Sequence, residues 1–176
     1  MTRRTVRAGW MVLLGCVAAS AASAESYVGT VAVSGGKPVP VKVTVREYTS
    51  DEKAFALAEK LHKDGQDAAA AEMKKADVGT VELEKSSFRA AMIRQEKTAA
   101  GRIVRVVTEE PLHVGGHPAA KAPAGTVGYL ELTLDAAGAG TGRVLTAVKA
   151  TFDAEGFVVP DSLGETWAVS GVKSGN

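Results

Sequence analysis

Alternation with a period of two dominates the chain from residue 26 onward. In SYVGTVAVSGGKPVPVKVTVREY, Tyr27, Val31 and Val33 alternate with Thr30, Ala32 and Ser34. Val39, Val41, Val43 and Val45 then fall on one side of an extended chain, with Lys42, Thr44 and Arg46 on the other. Successive side chains of a strand point to opposite faces, so this pattern predicts half-buried strands built from β-branched residues. Gly35-Gly36-Lys37-Pro38 supplies turn chemistry between them. The pair is expected to open an antiparallel sheet as a hairpin.

The period then changes. Thr49-Ser50-Asp51-Glu52 reads as a capping box with Thr49 as N-cap and Glu52 three residues on. Ala54, Leu57, Ala58 and Leu61 follow at helical spacing. Gly65 is placed to end that helix, and Asp67 to cap a second one through AAAAEMKKA. A helical hairpin over about residues 50–76 is expected, covering one side or end of the sheet.

Strands return after Val78. Val81 and Leu83 are expected inward, and FRAAMIRQEK and RIVRVVTEE flank a turn at Thr98-Ala99-Ala100-Gly101. A proline- and glycine-rich loop runs from Pro111 to Gly125. VGYLELTLD sets Leu130, Leu132 and Leu134 against Tyr129, Glu131 and Thr133. After a turn from Asp135 to Gly142, Val144, Val148, Ala150 and Phe152 are expected inward on one strand. Glu155-Gly156 turns the chain again, and FVV and TWAVSGV close the domain. About seven to nine short strands and one helical insertion imply a mainly β domain, α+β by content. The expected architecture is a strongly curved antiparallel sheet or small β-barrel with the helices against it. A sandwich is the second choice.

The first 24 residues break this pattern. Arg3, Arg4 and Arg7 precede the apolar run WMVLLGCVAA, and Ala22-Ser23-Ala24 follows. A basic start, a short apolar core and an A-x-A site read as a secretory signal cleaved after Ala24. The run is shorter than the about 20 residues of a membrane-spanning helix. Residues 25–176 then form a single β-rich domain, periplasmic or extracellular. Leu13-Leu14-Gly15-Cys16 also reads as a lipobox, and lipidation of Cys16 would instead anchor the protein to a membrane. Cys16 is the one cysteine of the chain, so the exported domain has no disulfide and relies on a packed core. The whole chain carries 21 basic and 20 acidic side chains, and loss of the leader's three arginines leaves a net charge of −2. That balance argues against a general nucleic-acid partner, which needs a basic face for phosphates.

Candidate chemistry is sparse. His113 and His117 stand in LHVGGHP, where His-x-x-x-His on a loop does not stack two rings as it would on a helix. A zinc site needs a third and usually a fourth ligand; Glu109 and Glu110 are near in sequence but belong to a strand end. His62 falls among lysines on the first helix and reads as a surface residue. Gly138, Gly140 and Gly142 precede a strand, whereas phosphate-binding glycines open a helix. No Gly-x-Ser-x-Gly elbow is present, and no cofactor motif is found. Arg94 and Gln95 are adjacent on one strand, so one of them points inward and would need a polar partner, from the protein or a ligand. Tyr129 and Trp167 are candidate pocket-lining aromatics. Gly128 and Ala150, small residues at inward positions, leave room for a cavity.

Several segments together resemble an uncharacterised family of bacterial exported proteins. They are Tyr48-Thr49-Ser50-Asp51-Glu52, Gly65-Gln66-Asp67-Ala68, Val78-Gly79, Arg94-Gln95, Gly101-Arg102-Ile103-Val104, Pro111, and GYLELTLDAAGAGTG. Ala147-x-Lys149-Ala150-x-Phe152-Asp153 and Val172-Lys173 complete the series. The resemblance implies an exported bacterial protein and supplies no activity and no catalytic residue. Family members often carry Asp-Arg-Pro where this chain has Glu109-Glu110-Pro111. Three functions remain in view. The first is a non-catalytic binding or interaction protein of the cell envelope, holding a small apolar ligand or meeting an envelope protein. The others are a hydrolase or metal-dependent enzyme at the His113–His117 loop, and a structural envelope protein.

Overall fold

The computed structural model describes residues 24–114 and 122–175. Residues 1–23 of the leader, Cys16 among them, and His117 lie outside the described residues. The elements run β1 (Glu25–Ala32), β2 (Val39–Val45), α1 (Asp51–Asp64), α2 (Gln66–Met73), β3 (Gly79–Leu83), β4 (Ser86–Thr98), β5 (Gly101–Thr108), β6 (Val127–Asp135), β7 (Ala139–Phe152), β8 (Val158–Ser162) and β9 (Thr166–Gly175). Each strand pairs antiparallel with its neighbours in the order β1-β2-β3-β4-β5-β6-β7-β9, and β9 returns to β1. Eight strands thus close a barrel, and β8 is a ninth that pairs with the second half of β7. The expected small antiparallel barrel with a helical hairpin is the fold observed.

The alternation of the sequence fills the barrel. Tyr27 on β1 lies opposite Val43 on β2, and Val43 lies opposite Val81 on β3. These side chains join Val31, Val41, Leu83, Phe88, Ile93, Val106, Leu130, Leu132 and Trp167 in one buried cluster. An eight-stranded barrel has an interior that side chains can just fill. Outward positions on β1 to β3 and β9 include Lys42, Thr44, Glu82 and Lys173, the reverse of the apolar outer band of a membrane-spanning barrel.

Over β4 to β7 the outer wall is apolar as well. Met92, Val107, Val127, Tyr129 and Leu145 form a second buried cluster with Leu57 of α1 and Met73 of α2. Two bulges create this arrangement. On β4 the register shifts between Ala90 and Met92, so Ala90 and Ile93 stay in the barrel while Ala91 and Met92 face the helices. On β7 the shift falls between Leu145 and Val148. The expectation that Val144, Val148, Ala150 and Phe152 share the barrel face is therefore corrected. Val144 lies inside, and the other three belong to the outer cluster. An extra residue in a strand moves every later side chain to the opposite face.

Two helix boundaries also differ from expectation. Ser50, not Thr49, caps α1, its hydroxyl accepting from the Lys53 N–H at 3.3 Å. Thr49 docks on β4 instead: its N–H donates to the Ile93 carbonyl at 2.7 Å and its hydroxyl accepts the Ile93 N–H at 3.1 Å. The tie to β4 uses up the hydroxyl that would have capped the helix. The second helix begins at Gln66 with Gly65 as its N-cap, which leaves Asp67 inside the first turn. Gly140 and Gly142 are strand positions of β7, not loop. A Cβ on Gly140 would lie 1.9 Å from the Thr133 carbonyl oxygen, so only glycine lets β7 approach β6 there.

Candidate functional site

Both barrel mouths are closed, by different chemistry. At the end formed by the starts of β4, β6 and β9, the chain after β5 folds inward. The Leu112 N–H donates to the Thr146 carbonyl at 2.7 Å, and the Gly128 N–H to the Glu110 carbonyl at 3.0 Å. Leu112 and Val114 join the barrel core. A Cβ on Gly128 would lie 2.5 Å from Leu112 Cγ, so the space left by this glycine is occupied by Leu112. Ala150 lies in the outer cluster. Neither small residue marks a cavity in the barrel.

His113 sits on this rim, its ring edge-to-face with Phe88 at 5.0 Å between centroids. The carboxylate of Glu109 is taken by Arg89 at 2.5 Å. Among the described residues, no group of three His, Cys, Asp or Glu side chains is placed to hold a metal ion. His117 is outside the described residues.

A polar network closes the other mouth. Arg102 donates to Glu25 Oε1 at 2.6 Å, and the Tyr48 hydroxyl donates to Glu25 Oε2 at 2.5 Å. The Tyr27 and Tyr48 hydroxyls are 3.0 Å apart, and the Arg102 guanidinium lies over the Tyr27 ring at 5.5 Å. Burial pushes the Glu25 carboxyl up, but hydrogen bonds from Tyr48 and Tyr27 and the charge of Arg102 outweigh it and hold it below the usual range. Burial, then the bond to Glu25, push the Tyr48 hydroxyl up to about 12. Tyr27 is raised further, by burial first and by Tyr48 next. A phenol held protonated this firmly is a fixed donor, and a poor base near neutrality. The network is a lock. The sequence signal for it was Arg102, which shares the inward parity of Val104 and Val106.

Arg94 and Gln95 are separated by the wall. Gln95 lies opposite Val104, a barrel residue, and is half-buried. Arg94 faces outward and begins a charged row across four strands: Arg94, Arg105, Glu131 and Arg143 are successive cross-strand partners. Glu131 binds Arg105 at 3.2 Å and Arg143 at 3.0 Å, and accepts from the Tyr129 hydroxyl at 2.9 Å. Burial and the charge of Glu131 raise the Tyr129 hydroxyl above its ordinary range. Arg94 is deeper, with 7% of its side chain exposed, and pairs with Asp51 at 2.8 Å. It also donates to the Glu155 carbonyl at 3.2 Å and lies over the Phe157 ring at 4.4 Å. Arg105 stands over the same ring at 4.8 Å. Nη1 of Arg94 is buried with no hydrogen-bond partner among the described residues.

Tyr129 and Trp167 do not line one pocket. Trp167 is in the barrel core, its indole N–H donating to Glu165 at 2.7 Å, and Tyr129 is in the outer cluster. Among the described residues, two clefts lie outside the barrel, on the flanks of α1. One cleft of about 490 Å³ has Leu57, Met73, Val78 and Ala91 at its floor, with Lys53, Lys60 and Glu72 among its rim residues. The other, of about 500 Å³, lies between α1 and the second half of β7, and Ala58, Leu61, His62, Lys149, Ala150 and Phe152 line it. Sequence periodicity identified the apolar side of α1, but not that the helix leaves grooves along it.

Comparison with protein-family models, with curated proteins and with solved structures found no match to this chain.

Proposed function

We propose that this chain is a non-catalytic binding protein of the bacterial cell envelope, with its ligand site on the helix-bearing outer wall of the barrel. Export follows from the leader at residues 1–24, with release after Ala24 into the periplasm or the exterior, or retention through a lipid on Cys16. The observation that carries the reading is the distribution of space. Among the described residues, side chains pack the barrel interior, whereas clefts with apolar side chains in their lining flank α1. A small apolar ligand fits such a groove, because burying apolar area yields about 25 cal/mol per Å² without a directional partner.

The test is titration of the chain from Glu25 onward with 1-anilinonaphthalene-8-sulfonate, an anionic probe with an apolar aromatic body, together with a native mass spectrum of the protein isolated from exporting cells. Saturable one-to-one binding, abolished by Ala58→Trp or Ala56→Trp, supports the reading. Ala58 and Ala56 each line one cleft, so an indole there fills it. No saturable binding and no co-purified mass would reject the ligand site.

A further inference from the structure

We propose that the hairpin of the second half of β7 with β8 is a hinged arm that forms one wall of the cleft beside α1, latched against the helix by Arg94 and Phe157. This inference rests on the outer-wall ligand site proposed above and assigns its gate. The arm has few backbone ties to the barrel. Pairing of β6 ends at Val127 with Val148, and pairing of β9 with β7 ends at Thr166 with Leu145. Residues Lys149–Phe152 therefore pair with β8 alone. The base of the arm is the β7 bulge, where the Leu163 and Gly164 N–H groups converge on the Ala147 carbonyl at 2.9 and 3.1 Å.

The inner side of the arm is apolar. Val148, Ala150 and Val158 pack with Met92, Val107 and Tyr129 of the wall. Its tip is held by one buried side chain. Arg94 takes the Glu155 carbonyl and the Phe157 ring from the turn, and Asp51 from the start of α1. The hold is incomplete, because Nη1 of Arg94 is buried without a partner. Desolvating a charged donor without pairing it is unfavourable, and lifting the tip returns that donor to water. Arg105, by contrast, keeps Glu96 and Glu131 whether or not Phe157 stays. Lifting the arm thus releases one pinned charged residue, uncovers Val148, Ala150 and Val158, and widens the cleft lined by Ala150 and Phe152. The ligand class is a small molecule with an apolar body, admitted when the arm lifts.

Two measurements test the gate. In Arg94→Met and Phe157→Ala, labelling of Val158→Cys, buried against the wall, by a soluble thiol reagent is expected to speed up about tenfold, with Val81→Cys in the barrel unchanged. The second uses a bond across the tip. A Cβ on Gly156 would lie 3.3 Å from the Ala54 Cβ, close to disulfide geometry, and the chain from Glu25 carries no cysteine. Ala54→Cys with Gly156→Cys should bind 1-anilinonaphthalene-8-sulfonate about tenfold more weakly oxidised than reduced; both states carry the same substitution at Gly156, so the difference reports the bond. Unchanged labelling in both variants overturns the latch, whatever the probe does. Equal probe binding in the oxidised and reduced forms overturns the gate and leaves the outer-wall site standing. Faster labelling with no probe binding in any form rejects the ligand site itself, and with it the gate.

Discussion

Replacing Leu112 with alanine tests whether the chain after β5 stoppers the barrel. Leu112 is fully buried in the core. Truncating a leucine at such a site costs about 3–5 kcal/mol, the lost transfer free energy plus the cavity left behind. A domain of this size loses about 3 °C in Tm per kcal/mol, so a fall of about 10 °C is expected, with the protein still folded. The diagnostic partner is Gly128→Ala. Its Cβ would meet both Leu112 Cγ and Thr108 Oγ1 at 2.5 Å, so alone it overpacks the mouth by about 1–3 kcal/mol. In the Leu112→Ala background the first of those clashes is gone. Urea denaturation of the four proteins should give a double-mutant cycle with coupling of about 1 kcal/mol, Gly128→Ala costing less in the double variant. Strict additivity would mean that Leu112 does not occupy the space over Gly128.

Four further outcomes follow from the same geometry. All three tyrosines are raised, Tyr48 to about 12. Alkaline titration at a tyrosinate wavelength should therefore show no ionisation near pH 10 in the folded protein; one tyrosine titrating normally there would contradict it. A hydroxyl raised on folding stabilises fully below its unfolded value, and that contribution fades as pH rises through the folded one. The lowered Glu25 carboxyl acts in the opposite range: its stabilisation is present above the ordinary carboxylate pKa and fades as pH falls through the folded value, so Glu25→Gln should flatten the acid limb of stability against pH. At the head of α1, Ser50→Ala should cost about 1 kcal/mol as a lost cap. Thr49→Val should cost more, about 1–3 kcal/mol, by stranding the buried Ile93 N–H, and the reverse order in denaturation would restore Thr49 as the cap. On β8, residues 157 and 163 bond toward β7, which turns Pro160 toward the open edge. Pro160→Val restores an outward N–H and should promote concentration-dependent association in sedimentation; a monomer at every concentration would show that the edge is blunted otherwise.

The barrel was legible because its strands obey the period of two. Val39 to Val45 and Leu130 to Leu134 each present one face inward, as their alternation states. The outer layer was not legible, because the bulges at Ala91 and at residues 146–147 switch faces with no change in local composition. Val148 and Val144 look equivalent in sequence and lie on opposite sides of the wall. Thr49 and Ser50 are both good caps, and the choice between them was made by a long-range bond to Ile93. Arg94 stood out as an arginine inside a strand, but its partners come from α1 and from the turn after β7, which local spacing does not connect. The mouth network likewise joins residues as distant as Glu25 and Arg102.

The proposed site places apolar ligands outside the barrel. Methyl spectra of alanine-, leucine- and valine-labelled protein, recorded during titration with 1-anilinonaphthalene-8-sulfonate, test it most directly. Binding on the outer wall gives saturable shifts at Ala58, Leu61 and Ala150, with Val31, Val81 and Val106 unmoved. Shifts centred on those three valines, which line the closed barrel, would contradict it.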